Sequence, residues 1–338
     1  MSYGVWYSLI RTSDLRSKVL SLGKFKIDFD FHSLIRTFDL RSKVLSFGNA
    51  QIKASFIWYF SRLFVPLTPK RNLECKYSKK MKSKQEIVEN WLPRYTQHPL
   101  EDFGKYVLLT NFNNYVDIFC QTFHLPVPDY QANMRMATAG DITIINFGMG
   151  SPNAAIIMDL LGAVQPRACL FLGKCGGISH KTQLGDFVLP LAGIRGEGTS
   201  NDYYPPEVPA LPAFMLQRAV SSAIRDLGRD YWTGTVYTTN RRIWEHDEHF
   251  KEYLRSTRAM AVDMETATLF VCGFHNHIPT GALLLVSDNP MTPEGVKTSE
   301  SDKAVTQHYV HQHVEMGILA MQKIMDGDKT VRHLKYDW

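Results

Sequence analysis

The stretch from Gly281 to Asp302, GALLLVSDNPMTPEGVKTSESD, contains the clearest candidate for a catalytic group. Ala282 to Val286 is a continuous apolar run that is too short for a helix, so it predicts a buried strand. Asp288 follows it, and a loop rich in proline and glycine comes next. In open α/β sheets, ligands bind at the carboxyl ends of strands. Asp288 is therefore a candidate site residue, and the alternative is that it only caps the loop.

A second carboxylate stands at another predicted junction between a strand and a helix. The sequence from Asp263 to Thr266 is DMET. A carboxylate there can accept hydrogen bonds from two hydroxyl groups, as a ribose diol would offer. The alternative is that Glu265 only complements the dipole of the following helix.

Two glycine-rich segments could approach a ligand closely. Gly148 to Pro152, GMGSP, leads into a predicted helix whose N-terminus favours an anion or an electron-rich group. A plain turn from strand to helix is the alternative. Gly173 to Gly177, GKCGG, is interpreted as the loop after a strand, with backbone N–H groups and a lysine facing an oxygen-rich ligand. The spacing of neither segment is that of a P-loop or a dinucleotide-binding fingerprint.

A cluster of hydroxyl, amide and guanidinium groups follows a third predicted strand. Residues 238–242 read TTNRR. Arginine binds phosphate through charge-assisted, often bidentate hydrogen bonds, so this cluster is a candidate phosphate clamp. A solvated basic turn is the alternative.

The sequence offers no pattern for a metal, a redox cofactor or a nucleic acid. His246 and His249 lie three residues apart without an evident third ligand, and His308, His311 and His313 are expected on the surface of the last helix. No GxSxG elbow or Cys/His nucleophile signature occurs. Basic residues are not interleaved with aromatic ones as in nucleic-acid-binding proteins. We therefore expect no metal, no cofactor and no nucleic-acid partner.

Cysteine usage and hydropathy limit the compartment. The five cysteines are scattered and form no CxxC pair, which argues against a disulfide framework and favours a reducing, cytoplasmic environment. The most apolar segment, Ala54 to Leu67, contains Arg62 and is shorter than the ~20 residues of a membrane span. We expect no membrane partner, although this segment could touch a membrane surface.

The first 80 residues differ in style from the rest. Ser8 to Ser21 and Ser33 to Ser46 are near-identical copies, too few for a repeat fold. A capping-box pattern at Ser83 and Glu86 then opens a different kind of sequence. We interpret 1–80 as a basic leader outside the fold, such as an upstream start would add, and 81–338 as one catalytic domain. A regulatory or membrane-touching arm is the alternative.

From residue 82 onward, predicted strands and helices alternate. Crossover connections occur together with a hairpin signature at 139–141, which favours a mixed sheet over a purely parallel one. The fold class is therefore α/β, a sandwich with helices on a mixed central sheet. The predicted strands are 106–110, 134–138, 142–147, 168–172, 186–189, 191–194, 233–238, 260–263 and 282–286, and the predicted helices are 115–123, 153–164, 213–227, 243–256, 265–274 and 301–325.

These motifs together resemble the nucleoside phosphorylase/nucleosidase superfamily, and within it the short form of the AMP nucleosidase family. The resemblance runs from about Met81 to the C-terminus and leaves the leader uncovered. It is carried by GALLLVSD, DMET, GMG and GKCGGIS, and by the longer phrases LLTNF, RGEGTSNDYYPPEVPALP, GTVYTTNRRIWEHDE, LLLVSDNPMTPEGVKT and the terminal RHL.

The resemblance implies a three-layer, phosphorylase/hydrolase-like fold and hydrolysis of AMP to adenine and ribose 5-phosphate. AMP and water would be the partners, and the chain would form a homo-oligomer, a trimer or a hexamer. Asp288 would protonate the leaving purine, and Glu265 would hold the ribose. The residues assigned to substrate binding are Met264, Asn111, Gly150, Ser151, Lys174, Gly176, Arg195, Glu197, Thr239, Asn240, Arg241 and Arg242.

One departure from the phosphorylase pattern favours water as the nucleophile. Phe171 and Lys174 stand where phosphorylases of the superfamily commonly hold inorganic phosphate with Arg and Ser. Glu197 is a candidate to orient the water. The alternatives are a phosphorylase, a nucleosidase for an unphosphorylated nucleoside, and an AMP-binding sensor without turnover. Dependence on the 5′-phosphate and on inorganic phosphate separates the enzymes, and a sensor would not need an acid aimed at the leaving group.

Overall fold

A computed structural model of the chain describes residues 82–129 and 131–327, together with the backbone of five short strands between residues 18 and 52. The chain divides into two compact units, Met1–Lys80 and Met81–Trp338. The apolar segment 54–67 and the terminal RHL motif lie outside the described residues.

The strands of the first unit are β1 (Lys18–Leu22), β2 (Phe25–Phe29), β3 (Phe38–Asp39), β4 (Val44–Phe47) and β5 (Ala50–Ile52). β1 pairs with β2, and β4 pairs with both β3 and β5, always antiparallel. The letters VLS of both sequence copies fall in a strand, β1 in one and β4 in the other. Whether this unit is dispensable for the catalytic fold stays a prediction.

The second unit alternates strands and helices. Its helices are α1 (Lys84–Thr96), α2 (Asn113–Phe123), α3 (Ser151–Leu160), α4 (Phe214–Asp226), α5 (Glu248–Ser256), α6 (Thr266–His275) and α7 (Ser299–Asp326). Its strands are β6 (Tyr106–Thr110), β7 (Arg135–Ala139), β8 (Ile142–Asn146), β9 (Ala168–Gly177), β10 (Phe187–Gly196), β11 (Trp232–Thr239), β12 (Ala261–Asp263) and β13 (Thr280–Asp288). The predicted capping box at Ser83 and the predicted hairpin of β7 and β8 are both present.

These strands form one mixed sheet in the order β12-β11-β10-β13-β9-β6-β8-β7. The adjacent strands β13, β9, β6 and β8 run parallel to one another. β10, β11 and β12 run parallel to one another and antiparallel to β13. β12 also pairs antiparallel with β9, which closes five strands into a barrel. The expectation of a mixed α/β sheet is confirmed.

Helices cover both faces of this sheet, and the strand residues alternate between two cores. On β13, Ala282, Leu284 and Val286 face the core that α3 and α6 cover. Leu283 and Leu285 face the core of α2, α4 and α7. A strand buried on both faces is apolar throughout rather than alternating in polarity. This explains the unbroken apolar run that predicted β13 and confirms the three-layer arrangement.

The structure corrects the interpretation of GKCGG as a loop, because this segment is the second half of β9. The glycines permit close packing within the sheet. A Cβ at Gly176 would lie 2.9 Å from the ring of Pro290, and one at Gly177 would lie 2.3 Å from the hydroxyl oxygen of Thr182. Glycine here serves the packing of a strand, not the flexibility of a ligand-binding loop.

Two further expectations differ in detail. The strands predicted at 186–189 and 191–194 are one strand, β10, with a register shift between Pro190 and Ala192. The helix predicted from residue 243 begins only at Glu248, because the Asp247 side chain caps it by accepting a hydrogen bond from Phe250 N. No helix in the described part of the chain is long and apolar enough to span a membrane.

The structure corrects the predicted location of His313. It was expected on the surface but is fully buried, whereas His308 and His311 are exposed. Its Nδ1 lies 2.9 Å from the hydroxyl of Tyr115 and its Nε2 lies 3.0 Å from the carbonyl oxygen of Leu283. Burial lowers the pKa of His313 to about 3, so the ring is neutral. With Nε2 as the donor and Nδ1 as the acceptor, His313 joins α7, β13 and α2.

Candidate active site

The parallel strands bring several predicted site residues to one edge of the sheet. Asn111 follows β6, Gly150 lies beyond the end of β8, and Asp288 ends β13. In the register of β13 with β9, Asp288 stands opposite Gly176. Because these strands are parallel, their carboxyl ends lie at the same edge.

Closure of the barrel brings the second carboxylate to that edge. β12 runs antiparallel to β9, and Val262 is paired with Gly176. Gly176 is therefore flanked by Asp288 on one side and by the strand that leads into Glu265 on the other. Cys175, beside it, experiences the charges of both Asp263 and Asp288.

Glu265 is buried and held by groups from two other loops. Its Oε1 accepts a hydrogen bond of 2.6 Å from Gly150 N. The Asn111 side-chain amide also favours the ionised carboxylate, while its amide oxygen Oδ1 is buried without a hydrogen-bond partner among the described residues. Burial and the neighbouring charge of Asp263 raise the pKa of Glu265. A group with this environment is typical of a functional site.

Asp263 stabilises the junction between β12 and α6. It accepts hydrogen bonds from the Thr238 hydroxyl at 2.7 Å, the Thr266 hydroxyl at 2.6 Å, and the backbone N–H groups of Thr266 and Glu265. Burial raises the pKa of Asp263, but these four donors favour the ionised form. Asp263 therefore fixes the start of α6 beside Glu265.

The GMGSP turn begins α3 against this junction. Gly150 has φ +94°, a conformation that residues with a Cβ rarely adopt. The conformation allows its N–H to meet Glu265. The Ser151 hydroxyl donates a hydrogen bond of 2.6 Å to the carbonyl oxygen of Met264. Gly150 and Ser151 thus contact Met264 and Glu265, and all four residues were assigned to the same site from the sequence.

Asp288 is nearly buried and lies beside cations. Its Oδ1 accepts a 2.7 Å hydrogen bond from the Ser287 hydroxyl and lies 3.6 Å from Lys297 Nζ. Burial raises the pKa of Asp288, against the charges of Lys297 and Arg242 and the Ser287 hydrogen bond, which lower it. Because burial dominates, Asp288 is suited to hold and donate a proton.

Lys174 points to α7. Its Nζ hydrogen-bonds to the Asp302 carboxylate and the Thr306 hydroxyl, at 2.9 Å each, and lies 4.9 Å from the ring centroid of Phe112. Only 3% of the side chain is exposed. In this structure the ammonium group is occupied by partners within the fold.

The TTNRR segment ends β11 and is mostly exposed. The Thr239 hydroxyl accepts a hydrogen bond from Arg241 N. Arg241 pairs with Asp247 at 2.9 Å, and its guanidinium lies 5.1 Å from the ring centroid of Phe250. Arg242 lies 3.4 Å from Glu245 and also acts electrostatically on Asp288. Asn240 is exposed in the turn between them.

Arg195 and Glu197 organise the loop that follows β10. The Arg195 guanidinium donates five hydrogen bonds, to the side chains of Ser200 and Asn201 and to the carbonyl oxygens of Tyr204, Pro205 and Val208. Glu197 accepts from the hydroxyl of Ser200 at 2.5 Å and from its N–H at 3.0 Å. Arg195 therefore has all its N–H groups engaged within the loop, and Glu197 has both oxygens engaged there.

The sequence interpretation missed Lys297 and Asp302. Lys297 lies 3.6 Å from carboxylate oxygens of both Asp288 and Asp302. Lys297 is in a loop and Asp302 is in the first turn of α7, so no helical or strand period relates them to Asp288. The sequence signal for these two residues was the high density of charged groups in the segment EGVKTSESD.

Comparison with known proteins places this geometry in a family. The family model for the phosphorylase superfamily matches residues 105–320, which include every strand of the mixed sheet and both buried carboxylates. The chain belongs to the phosphorylase superfamily. Other members give the fold alone: the uridine phosphorylase structure from Vibrio fischeri is 19% identical, has a TM-score of 0.59, and matches 66% of this chain and 93% of its own.

Relatives in the superfamily include AMP nucleosidases. The crystal structure of AMP nucleosidase from Bacteroides thetaiotaomicron is 57% identical, has a TM-score of 0.65, and matches 73% of this chain and 100% of its own. The AMP nucleosidase of Escherichia coli K12 is 29% identical over 286 residues, which is 70% of this chain. The match spans 59% of the length of that E. coli protein.

Proposed function

We propose that the chain hydrolyses the N-glycosidic bond of AMP and releases adenine and ribose 5-phosphate. The observation that carries the proposal is the pair of buried carboxylates, Asp288 and Glu265, on either side of Gly176, both with a raised pKa. The 57% identity with an AMP nucleosidase over that protein's full length supports AMP as the substrate.

Asp288 is the general acid in this proposal. Cleavage of the bond between C1′ and N9 leaves negative charge on the purine, and a proton delivered to the base, at N7, removes it. The acid must be protonated before reaction. Burial of Asp288 favours that form, and the Ser287 hydroxyl orients the carboxyl group.

Glu265 holds the ribose. As the bond breaks, positive charge builds on the sugar and favours the ionised form of Glu265, whose oriented carboxylate then stabilises that charge. Gly150 N and Asn111 already fix the Glu265 carboxylate, so it does not need to reorganise when the sugar binds. The side-chain amide oxygen Oδ1 of Asn111, which is buried and has no partner among the described residues, is available to accept a hydrogen bond from a ribose hydroxyl.

The 5′-phosphate is assigned to Arg241 and Arg242, with Thr239 and Asn240 beside them. Both guanidinium groups are about half exposed and pair with partly exposed or surface carboxylates. Pairs of this kind contribute little to stability, so a phosphate can replace Asp247 or Glu245 at low cost. In contrast, every N–H group of the Arg195 guanidinium is engaged within its own loop, and the buried Lys174 ammonium is paired with Asp302, which makes them weaker candidates.

The test is incubation of the purified chain with AMP, with and without inorganic phosphate, followed by identification of both products. We expect adenine and ribose 5-phosphate at the same rate in both conditions, and slower turnover of adenosine. A requirement for inorganic phosphate and a bisphosphorylated sugar would identify a phosphorylase instead. Tight binding of AMP without release of adenine would identify a sensor.

A further inference from the structure

Four charged side chains from four parts of the fold form a continuous alternating row that begins at the proposed acid. Lys297, in the loop after β13, lies 3.6 Å from Asp288 and 3.6 Å from Asp302. Asp302, in the first turn of α7, lies 2.9 Å from Lys174, which belongs to β9. The order is therefore Asp288, Lys297, Asp302, Lys174, with each charge next to its opposite.

Asp302 is the member that fixes the others. The Lys174 ammonium is almost completely buried, and its hydrogen-bond partners among the described residues are Asp302 and Thr306. A buried cation without a carboxylate is costly, so Lys174 anchors Asp302 against β9. The anchored Asp302 then holds Lys297 midway between two carboxylates. Burial alone would raise the pKa of Asp302, but the hydrogen bonds and charges of both lysines hold it below its usual value.

We propose that Asp302 is a positioning residue for the proposed reaction. It shares Lys297 with Asp288 and so limits how strongly this cation favours the ionised form of Asp288. The inference rests on the role of Asp288 in the proposed function. Asp302 touches neither base nor sugar in this scheme and acts through Lys297 and Lys174. Asp302 lies in the first turn of α7, directly after the loop that follows Asp288, so its pairing with Lys174 also fixes the start of this helix.

Charged and titratable groups from several elements act on Asp288. Lys297 lies in the loop after β13, Arg242 follows β11, and Lys174 and Cys175 come from β9. Burial raises the pKa of the Cys175 thiol well above its usual value, so it stays neutral. The cations all stabilise the Asp288 carboxylate, and Asp302 opposes them from α7.

The sign of the effect follows from this balance. A protonated Asp288 is needed for turnover, so kcat falls as the pH rises through the pKa of this group. Without the charge of Asp302, Lys297 and Lys174 act on Asp288 unopposed, its pKa falls, and the alkaline limb of the profile moves to lower pH. Without Lys297 the pKa rises and the limb moves to higher pH.

The experiment measures kcat for AMP against pH in the wild-type chain and in four variants. We expect the limb of Asp302→Asn to move down by roughly half a pH unit or more, and that of Lys297→Met to move up by about one unit. Asp302→Glu retains the charge and should keep the limb near its wild-type position. Thr306→Val, the matched control, removes a neutral contact of Lys174 and should leave the limb unmoved.

The outcomes separate this inference from the proposed function. No release of adenine by the wild-type chain would refute the function. If the wild-type chain hydrolyses AMP but the alkaline limb of the folded Asp302→Asn variant stays in place, the role of Asp302 is overturned. Shifts of the limb in the same direction in Asp302→Asn and Lys297→Met would also overturn it. If Asp302→Asn fails to fold, the upward shift in Lys297→Met is still required, because Lys297 is partly exposed and its replacement leaves the core intact. An unmoved limb in that variant would overturn the inference.

Discussion

Replacement of Asp288 by Asn isolates proton donation from every other property of this side chain. The amide has the size of the carboxyl group and retains an oxygen for the 2.7 Å hydrogen bond from Ser287. It cannot deliver a proton to the purine. Loss of general acid catalysis lowers kcat by roughly 10²–10⁴-fold, about 3–5 kcal/mol in the activation free energy. We expect KM for AMP to change little, because the ribose and phosphate contacts lie elsewhere.

The same substitution should not destabilise the fold. A carboxyl group whose pKa is raised in the folded state opposes folding at any pH where it ionises, because the unfolded chain releases the proton more readily. A neutral amide removes this cost, although it also ends the ion pair with Lys297 at 3.6 Å. The melting temperature of Asp288→Asn at neutral pH should therefore equal or exceed that of the wild-type chain.

The assay is adenine release from AMP across a pH series, with a thermal melt for each variant. In the wild-type chain, kcat should fall as the pH rises through the raised pKa of Asp288, and in Asp288→Asn this limb should be absent from the residual rate. Asp230→Asn is the matched control, because it makes the same change on a side chain that is 89% exposed. Near-normal turnover of a folded Asp288→Asn, or an unchanged alkaline limb, would refute the acid assignment and leave Asp288 as a structural cap.

Three further predictions test the phosphate site, the core and the leader. Arg241→Ala and Arg242→Ala should each raise KM for AMP about 10–100-fold and that for adenosine far less, and equal effects on both substrates would place the phosphate elsewhere. Tyr115→Phe should lower the free energy of unfolding by about 1–3 kcal/mol in a denaturant titration, because Nδ1 of the buried His313 loses its donor; an unchanged value would show that this hydrogen bond contributes nothing net. A chain that begins at Met81 keeps all eight strands of the mixed sheet and should hydrolyse AMP at close to the full-length rate, whereas an inactive or aggregated product would show that the leader supports the catalytic unit.

The sequence alone determined the local elements and the identity of the chemical groups. The apolar run of β13 was readable because burial on both faces requires an apolar side chain at every position. The capping box at Ser83 and the turn at Gly140 were readable because each depends on a few adjacent residues. The position of Asp288 at the end of a buried strand followed from the same local pattern.

The tertiary structure decided which of these groups meet. Glu265 reaches the site because β12 pairs with β9 and closes the barrel, a contact between distant segments that no local period encodes. The same closure turns GKCGG into strand, since its glycines are needed where Pro290 and Thr182 pack against the sheet. Lys174 was predicted to face a ligand, but the start of α7 brings Asp302 against it instead.

The surroundings of a side chain were the hardest property to predict. Arg195 has the chemistry of a phosphate ligand, yet the loop that follows it supplies acceptors for all five of its N–H groups. His313 lies on a helix with two exposed histidines and is nevertheless buried, because its side of α7 packs on β13. Residue type and spacing fix what a group can do, whereas the partners that long-range packing supplies decide whether it holds the fold together or is free to act on a substrate.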